Sequence, residues 1–127
     1  VASLVSILGF SVLFGLNNEQ YVTLLPKSIT TAIGMGVSEE LGGIVTITVA
    51  SIVITGILGN VIAEGVCKIF KIQHPIARGL ALGTASHAIG TAKALELGEV
   101  EGAMSGLSIA VSGVLTVILS ILFAQFL

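Results

Sequence analysis

Three stretches of this chain, Val1 to Asn18, Leu41 to Ala63 and Gly102 to Leu127, contain no charged side chain. Each approaches or exceeds the roughly 18 to 20 apolar residues with which a helix crosses the hydrocarbon core of a bilayer. Only 9% of the residues are charged and 54% are hydrophobic, against roughly 25% charged in an average soluble domain, and the mean hydropathy is +1.11. Such a chain has too little polar surface to cover itself in water. In lipid every backbone N–H and C=O must be paired within the protein, so the spans are expected as helices. The expected fold class is all-α: a polytopic helical membrane protein forming one transmembrane domain over residues 1–127.

Several functions are excluded on the same grounds. The net charge is −2 and the five cations are scattered, which leaves no basic face for nucleic acid. Cys67 is the one cysteine, so it has neither a disulfide partner nor a metal-ligand spacing; it is expected in a cytoplasmic loop. No nucleophile elbow, phosphate-binding Walker loop or His-x-x-x-His spacing occurs, which argues against catalysis and against a cofactor or metal. The first residue is Val, with no basic segment before the apolar run, a pattern unlike a secretory signal and expected of a piece of a longer protein.

Five segments can be marked. Ala2 to Leu16, Gly43 to Ala63 and Gly102 to Phe126 are ordinary spanning candidates. Leu24 to Leu41 and Pro75 to Leu97 are apolar but interrupted by hydroxyl and glycine residues, as at Ser28 to Gly36 and Thr84 to Thr91. An offset of 56 residues places Thr30 on Ser86, Gly34 on Gly90, Glu40 on Glu96 and Gly42 on Gly98. The chain therefore reads as internally duplicated, with one repeat over about 22–64 and the other over about 75–127. Paired, glycine-interrupted segments in two repeats are the sequence signature of a transporter's midplane site.

The connector Gly65 to Arg78 holds three of the five cations, Lys68, Lys71 and Arg78, and is expected on the cytoplasmic side. Whether the interrupted segments cross the membrane, making the repeats parallel, or enter and return as re-entrant hairpins, making them inverted, is left open by composition.

A helix broken inside a membrane exposes N–H groups that favour an anion. Hydroxyls can complete such a cage: Ser28, Thr30 and Thr31 in the first segment, Thr84, Ser86 and Thr91 in the second. The same hydroxyls can equally bond their own helix or a neighbour. His87, in an uncharged stretch, needs a partner and can change charge between pH 5 and 8. Lys27 can draw an anion toward the first cluster or snorkel to the headgroups. Glu40 and Glu96, which coincide in the repeat, are candidates for a coupling ion. Gly98, Gly102, Gly106 and Ala110 form a smooth ridge expected to pack against another backbone.

The runs Leu25-Pro26-Lys27-Ser28-Ile29-Thr30-Thr31, Gly42-Gly43-Ile44, His74-Pro75-Ile76-Ala77-Arg78-Gly79 continuing through Ser86-His87 to Ala92, and Glu99-Val100-Glu101-Gly102-Ala103 closely resemble the LrgB/CidB membrane protein family from Leu24 onward. Ala32 departs from it, since the family pattern often has proline there. The resemblance implies that the chain is the C-terminal half of a longer domain in a bacterial cytoplasmic membrane, with the N-terminal half missing. It implies one of two activities. One is transport of a small monocarboxylate of the pyruvate, glycolate or glycerate type, coupled to an ion. The other is antiholin-like control of murein hydrolases and autolysis through an LrgA/CidA-like holin partner. A homo-oligomer is expected. In the transport reading the two interrupted segments meet near the midplane, with His87 and Lys27 supplying positive charge.

Overall fold

Glycine, asparagine and proline punctuate the apolar sequence, and a computed structural model describing residues 1–127 has six α-helices between them. These are α1 (Ala2–Phe14), α2 (Asn18–Leu24), α3 (Thr31–Glu40), α4 (Val45–Ile69), α5 (Pro75–Leu97) and α6 (Glu99–Phe123), followed by a 3₁₀ turn at Ala124–Phe126. Helices α4 and α6, the latter with its 3₁₀ extension, are long and apolar enough to cross a membrane. At 1.5 Å per residue a 25-residue helix is about 37 Å long, more than the ~30 Å hydrocarbon core. Both turn apolar side chains outward: Ile54, Ile57, Leu58, Val61 and Ile62 of α4 are exposed, as are Leu107, Val111, Val114 and Ile118 of α6. A core helix of a soluble protein would bury them. Helix α1 is apolar but has only 13 residues, shorter than the spanning segment expected there.

The chain divides into two compact units, one of Val1–Val53 with Gly113–Leu127, the other of Ile54–Ser112. In the first, α1 stops at Gly15, whose left-handed backbone (φ 65°) lets its N–H and that of Leu16 reach back to Val12 and Ser11. Asn17 then starts α2 through a reciprocal capping box with Gln20. Helix α2 has no counterpart among the five sequence segments. Leu4, Ile7, Tyr21, Val22 and Leu25 form this unit's core, with Leu119 and Phe123 packed against it, and the Tyr21 hydroxyl donates to the Phe123 carbonyl at 2.8 Å.

After α2 the chain doubles back near Ile29 and returns as α3. A Cβ on buried Gly34 would lie 3.4 Å from the Pro26 carbonyl oxygen and would strike Ile52 of α4. A buried polar knot closes the base of this hairpin. The Thr48 hydroxyl bonds the Thr23 carbonyl at 2.8 Å and the Ser38 hydroxyl at 2.7 Å, and the Ile44 N–H donates to the Thr23 hydroxyl at 2.8 Å.

In the second unit, α4 runs on to Ile69 instead of stopping at Ala63. Cys67 is therefore half-buried in a helix rather than in a loop, because Glu64 and Lys68 are good helix formers that end the hydrophobic run without ending the helix. Helix α5 starts at Pro75, as suits a residue without an N–H, and has non-helical backbone angles at His87 (φ 53°, ψ −131°). Residues eight apart in an unbroken helix lie about 12 Å apart along the axis. Here a Cβ on Gly90 would lie 3.0 Å from the Leu82 carbonyl carbon, and Leu82, Ala94 and Ala63 share one buried cluster. Helix α5 thus folds back on itself at His87.

Close approach to α6 is made by glycines of α5. A Cβ on Gly79 would lie 2.9 Å from the Met104 Cβ, and one on Gly83 would lie 2.8 Å from the Ser105 Cα. Of the ridge expected on α6, Gly102 makes such an approach, a Cβ there lying 3.4 Å from the Leu95 Cα of α5. Gly102 also packs against the Leu95 side chain, Gly98, at the junction of α5 and α6, faces the Glu101 carboxylate, and Gly106 has nothing within 4 Å.

Candidate functional site

The fold-back puts a polar group of residues beside the middle of α4. A Cβ on Gly59 would overlap the Ser86 hydroxyl, and one on Gly56 would lie 3.0 Å from the Ile89 side chain and 3.4 Å from the Ser86 carbonyl oxygen. Since α4 runs from Val45 to Ile69, the turn of α5 sits near its midpoint. It reaches that depth because Gly56 and Gly59 leave room for it.

His87 is buried, and its positive φ belongs to a region that a non-glycine residue occupies only when the surroundings impose it. Ser86 is buried as well, and its hydroxyl has no hydrogen-bond partner. Thr91 starts the returning arm by donating to the His87 carbonyl at 3.0 Å, and its hydroxyl also lies 2.8 Å from that of Ser105. Ser105 is fully buried, and Ser108, also buried, donates to the Ser105 carbonyl at 2.8 Å. Of the sequence-selected residues in this unit, Ser86, His87 and Thr91 are brought together at the break. Thr84 is exposed and bonds the Leu80 carbonyl of its own helix at 2.7 Å.

Asn60 was not singled out by the sequence reading. Its side-chain oxygen is buried without a hydrogen-bond partner, and it lines, with Ile89 and Lys93, a cavity of about 430 Å³. The signal was present: Asn60 is the one side-chain amide in the uncharged run from Leu41 to Ala63. At the cavity's rim Lys93 pairs with Glu64 at 2.7 Å and with Glu96 at 3.3 Å, so Glu96 is an exposed partner of a lysine.

In the first unit the candidates gather at the tip of the α2–α3 hairpin. The Lys27 ammonium donates to the Ser28 hydroxyl at 3.1 Å, which the Ser3 hydroxyl also approaches at 2.7 Å. Thr30 is the N-cap of α3, with extended backbone and no side-chain capping bond, and Thr31 is that helix's first residue. Glu40 lies exposed at the other end of α3, away from the tip.

Comparison with known proteins gives a consistent result. The model of the LrgB-like family matches residues 1–126. The antiholin-like proteins LrgB of Bacillus mycoides and Bacillus cereus are each 41% identical to this chain over 113 residues, and that of Bacillus anthracis is equally similar. The match covers 89% of this chain and 49% of each relative, so the chain spans about half the length of the curated relatives it matches. No solved structure matches.

Proposed function

The chain belongs to the LrgB-like family, and from that premise we propose that it is part of an antiholin-like protein of the bacterial cytoplasmic membrane whose working element is the polar break at Ser86 and His87. The antiholin-like activity is what the names of the relatives support. Transport of a small monocarboxylate is the means that the geometry supports, and control of murein hydrolases would follow from the resulting flux of acid or protons.

One observation carries the transport step: a helix that reverses beside the midpoint of a spanning-length neighbour, with buried serine and histidine at the reversal. At that depth in a bilayer, open backbone is tolerated only where protein or a polar cavity surrounds it, and intramembrane polar residues mark substrate or ion paths. The unpartnered hydroxyl of Ser86 and the imidazole of His87 would hold the carboxylate, and Thr91, whose proton goes to the His87 carbonyl, would hold the bend beside them. Lys27, Ser28, Thr30 and Thr31 would form the corresponding group in the other repeat. Thr84 contributes least, since it is exposed and its hydroxyl is turned to the Leu80 carbonyl of its own arm. The internal duplication is supported by a shared local contact: Gly34 lies over the carbonyl of Pro26 and Gly90 over that of Leu82, two pairs related by the same 56-residue offset. Glu40 and Glu96 keep their candidacy as coupling residues.

The test is uptake of labelled pyruvate, glycolate and glycerate into proteoliposomes of the full-length protein under a proton or sodium gradient. Saturable uptake that is lost in His87→Ala supports the reading. No uptake of any of the acids refutes transport and leaves the second reading, a regulator that acts on a holin-like partner without a substrate of its own. The relatives' name favours that second reading at least as strongly as it favours transport. It requires that the antiholin-like effect in cells survive His87→Ala and Ser86→Ala.

A further inference from the structure

Two cavities of the second unit share a wall. One, of about 200 Å³, is lined by Glu64, Lys68, Arg78 and Leu97 together with Ala63, Cys67 and Leu82. The other, of about 140 Å³, is bordered by the same Ala63, Cys67 and Leu82 and continues along Ile62, Val66 and Ala85 toward Ser86. Together they make one groove between α4 and α5, net cationic at one end, where Lys68 and Arg78 stand with Glu64, and apolar along its length.

The cationic end is built. Arg78 donates from Nε to the Ile72 carbonyl at 2.9 Å, which fixes its guanidinium at the groove and leaves the other N–H groups of that planar fork for a ligand. The one carboxylate lining this end, Glu64, is held by Lys93 at 2.7 Å and also interacts with Lys68, so the two cations of the wall outnumber its one carboxylate and leave it net positive. Lys68 lies in the last turn of α4, where a helix of about 37 Å has passed beyond a ~30 Å hydrocarbon core. The cations are therefore at headgroup level and the apolar part of the groove is at acyl-chain depth.

We propose that this groove binds an anionic phospholipid, its phosphate between Arg78 and Lys68 and one acyl chain along Ile62, Val66 and Ala85. A free anion would meet the same two cations but would leave the apolar length uncovered. A zwitterionic lipid would cover that length but would bring a cation of its own toward Arg78 and Lys68. Charge and shape together select a lipid with net negative headgroup charge. The headgroup end of this groove lies apart from the break, although its inner end reaches Ser86, and the proposal stands whether or not the protein transports an acid.

Cys67 lines both parts of the groove and serves as the reporter. The experiment measures the rate at which a maleimide labels Cys67 in the full-length protein in detergent, with Cys67 as the only cysteine retained, while phosphatidylglycerol is titrated in. Phosphatidylcholine with the same chains and free glycerol phosphate are the comparison arms. Phosphatidylglycerol is expected to protect Cys67 at lower concentration than phosphatidylcholine. Lys68→Gln and Arg78→Gln are each expected to weaken that protection about fivefold, given about 1 kcal/mol per basic residue at the membrane surface. Lys71→Gln, outside the groove, is expected to leave it unchanged. Should Arg78→Gln misfold through loss of its bond to Ile72, Lys68→Gln alone decides. Equal protection by phosphatidylcholine would overturn the proposal, and so would equal protection by glycerol phosphate, which would indicate a free-anion site.

Discussion

Ser86 of α5 occupies the space into which a Cβ on Gly59 of α4 would project, and its own Cβ lies 3.2 Å from that position. The absent side chain at Gly59 is what admits the reversal of α5 to the middle of α4. Everything placed at the break, from the strained His87 to the Thr91–Ser105 pair, depends on that depth.

Gly59→Ala should therefore force the turn of α5 outward. Overpacking of a tight contact typically costs about 1–3 kcal/mol, read as a lowered thermal midpoint in detergent. Gly83→Ala, whose new Cβ would lie 2.8 Å from the Ser105 Cα, should behave alike. Gly106→Ala is the control: nothing lies within 4 Å, and alanine in a helix is favoured over glycine by about 0.5–1 kcal/mol, so the midpoint should hold or rise.

Thr48→Val tests the polar knot of the other unit. The substitution keeps the shape but removes the hydroxyl that bonds Thr23 and Ser38 in a buried setting. Leaving those groups unsatisfied costs about 1–3 kcal/mol, and thermal denaturation should show that loss.

Much of this was legible in the residues, and the failures have physical reasons. The bounds of α5, Pro75 and Leu97, coincide with the segment read from the sequence because proline at a helix start and glycine just after its end are local signals. The end of α4 was misread at Ala63 because hydrophobicity reports depth in lipid, not helix length, and the helix continues to Ile69. Helix α2 was missed although its capping pattern, Asn17 with Gln20, stands in the sequence; seven residues hold too little periodicity to register. The interruption expected over Thr84 to Thr91 falls at His87, where the backbone is non-helical. Gly90 serves to let the returning arm pass close to Leu82. Asn60 was hidden by its apolar neighbours, since the cavity it lines is formed with residues some thirty positions away.

Uptake should separate the hydroxyls by their surroundings. On the transport reading, Ser86→Ala removes the unpartnered hydroxyl at the break and should reduce kcat/KM for the acid by about tenfold or more, as loss of a hydrogen bond to a charged group costs about 1.5–3 kcal/mol. Thr91→Val, which removes the bonds to His87 and Ser105, should reduce it by loosening the bend. Thr84→Val removes a hydroxyl already bonded to Leu80 of its own helix and should leave uptake within about twofold of the parent. Uptake assays on the three variants in proteoliposomes check this, and equal losses in all three would refute the assignment of the site to the break.

The central claim is that α5 enters beside α4 and returns, so that both its ends lie on one side of the membrane. Arg78 and Leu97, near opposite ends of α5, line the same cavity with Lys68 of α4. The direct measurement is accessibility of single cysteines placed at Gln73 and at Glu99, in a Cys67→Ser background, to a membrane-impermeant maleimide applied to sealed cells and then to inverted vesicles. Labelling of both positions from the same side is the result predicted; labelling from opposite sides would mean that α5 crosses the bilayer and would contradict the account.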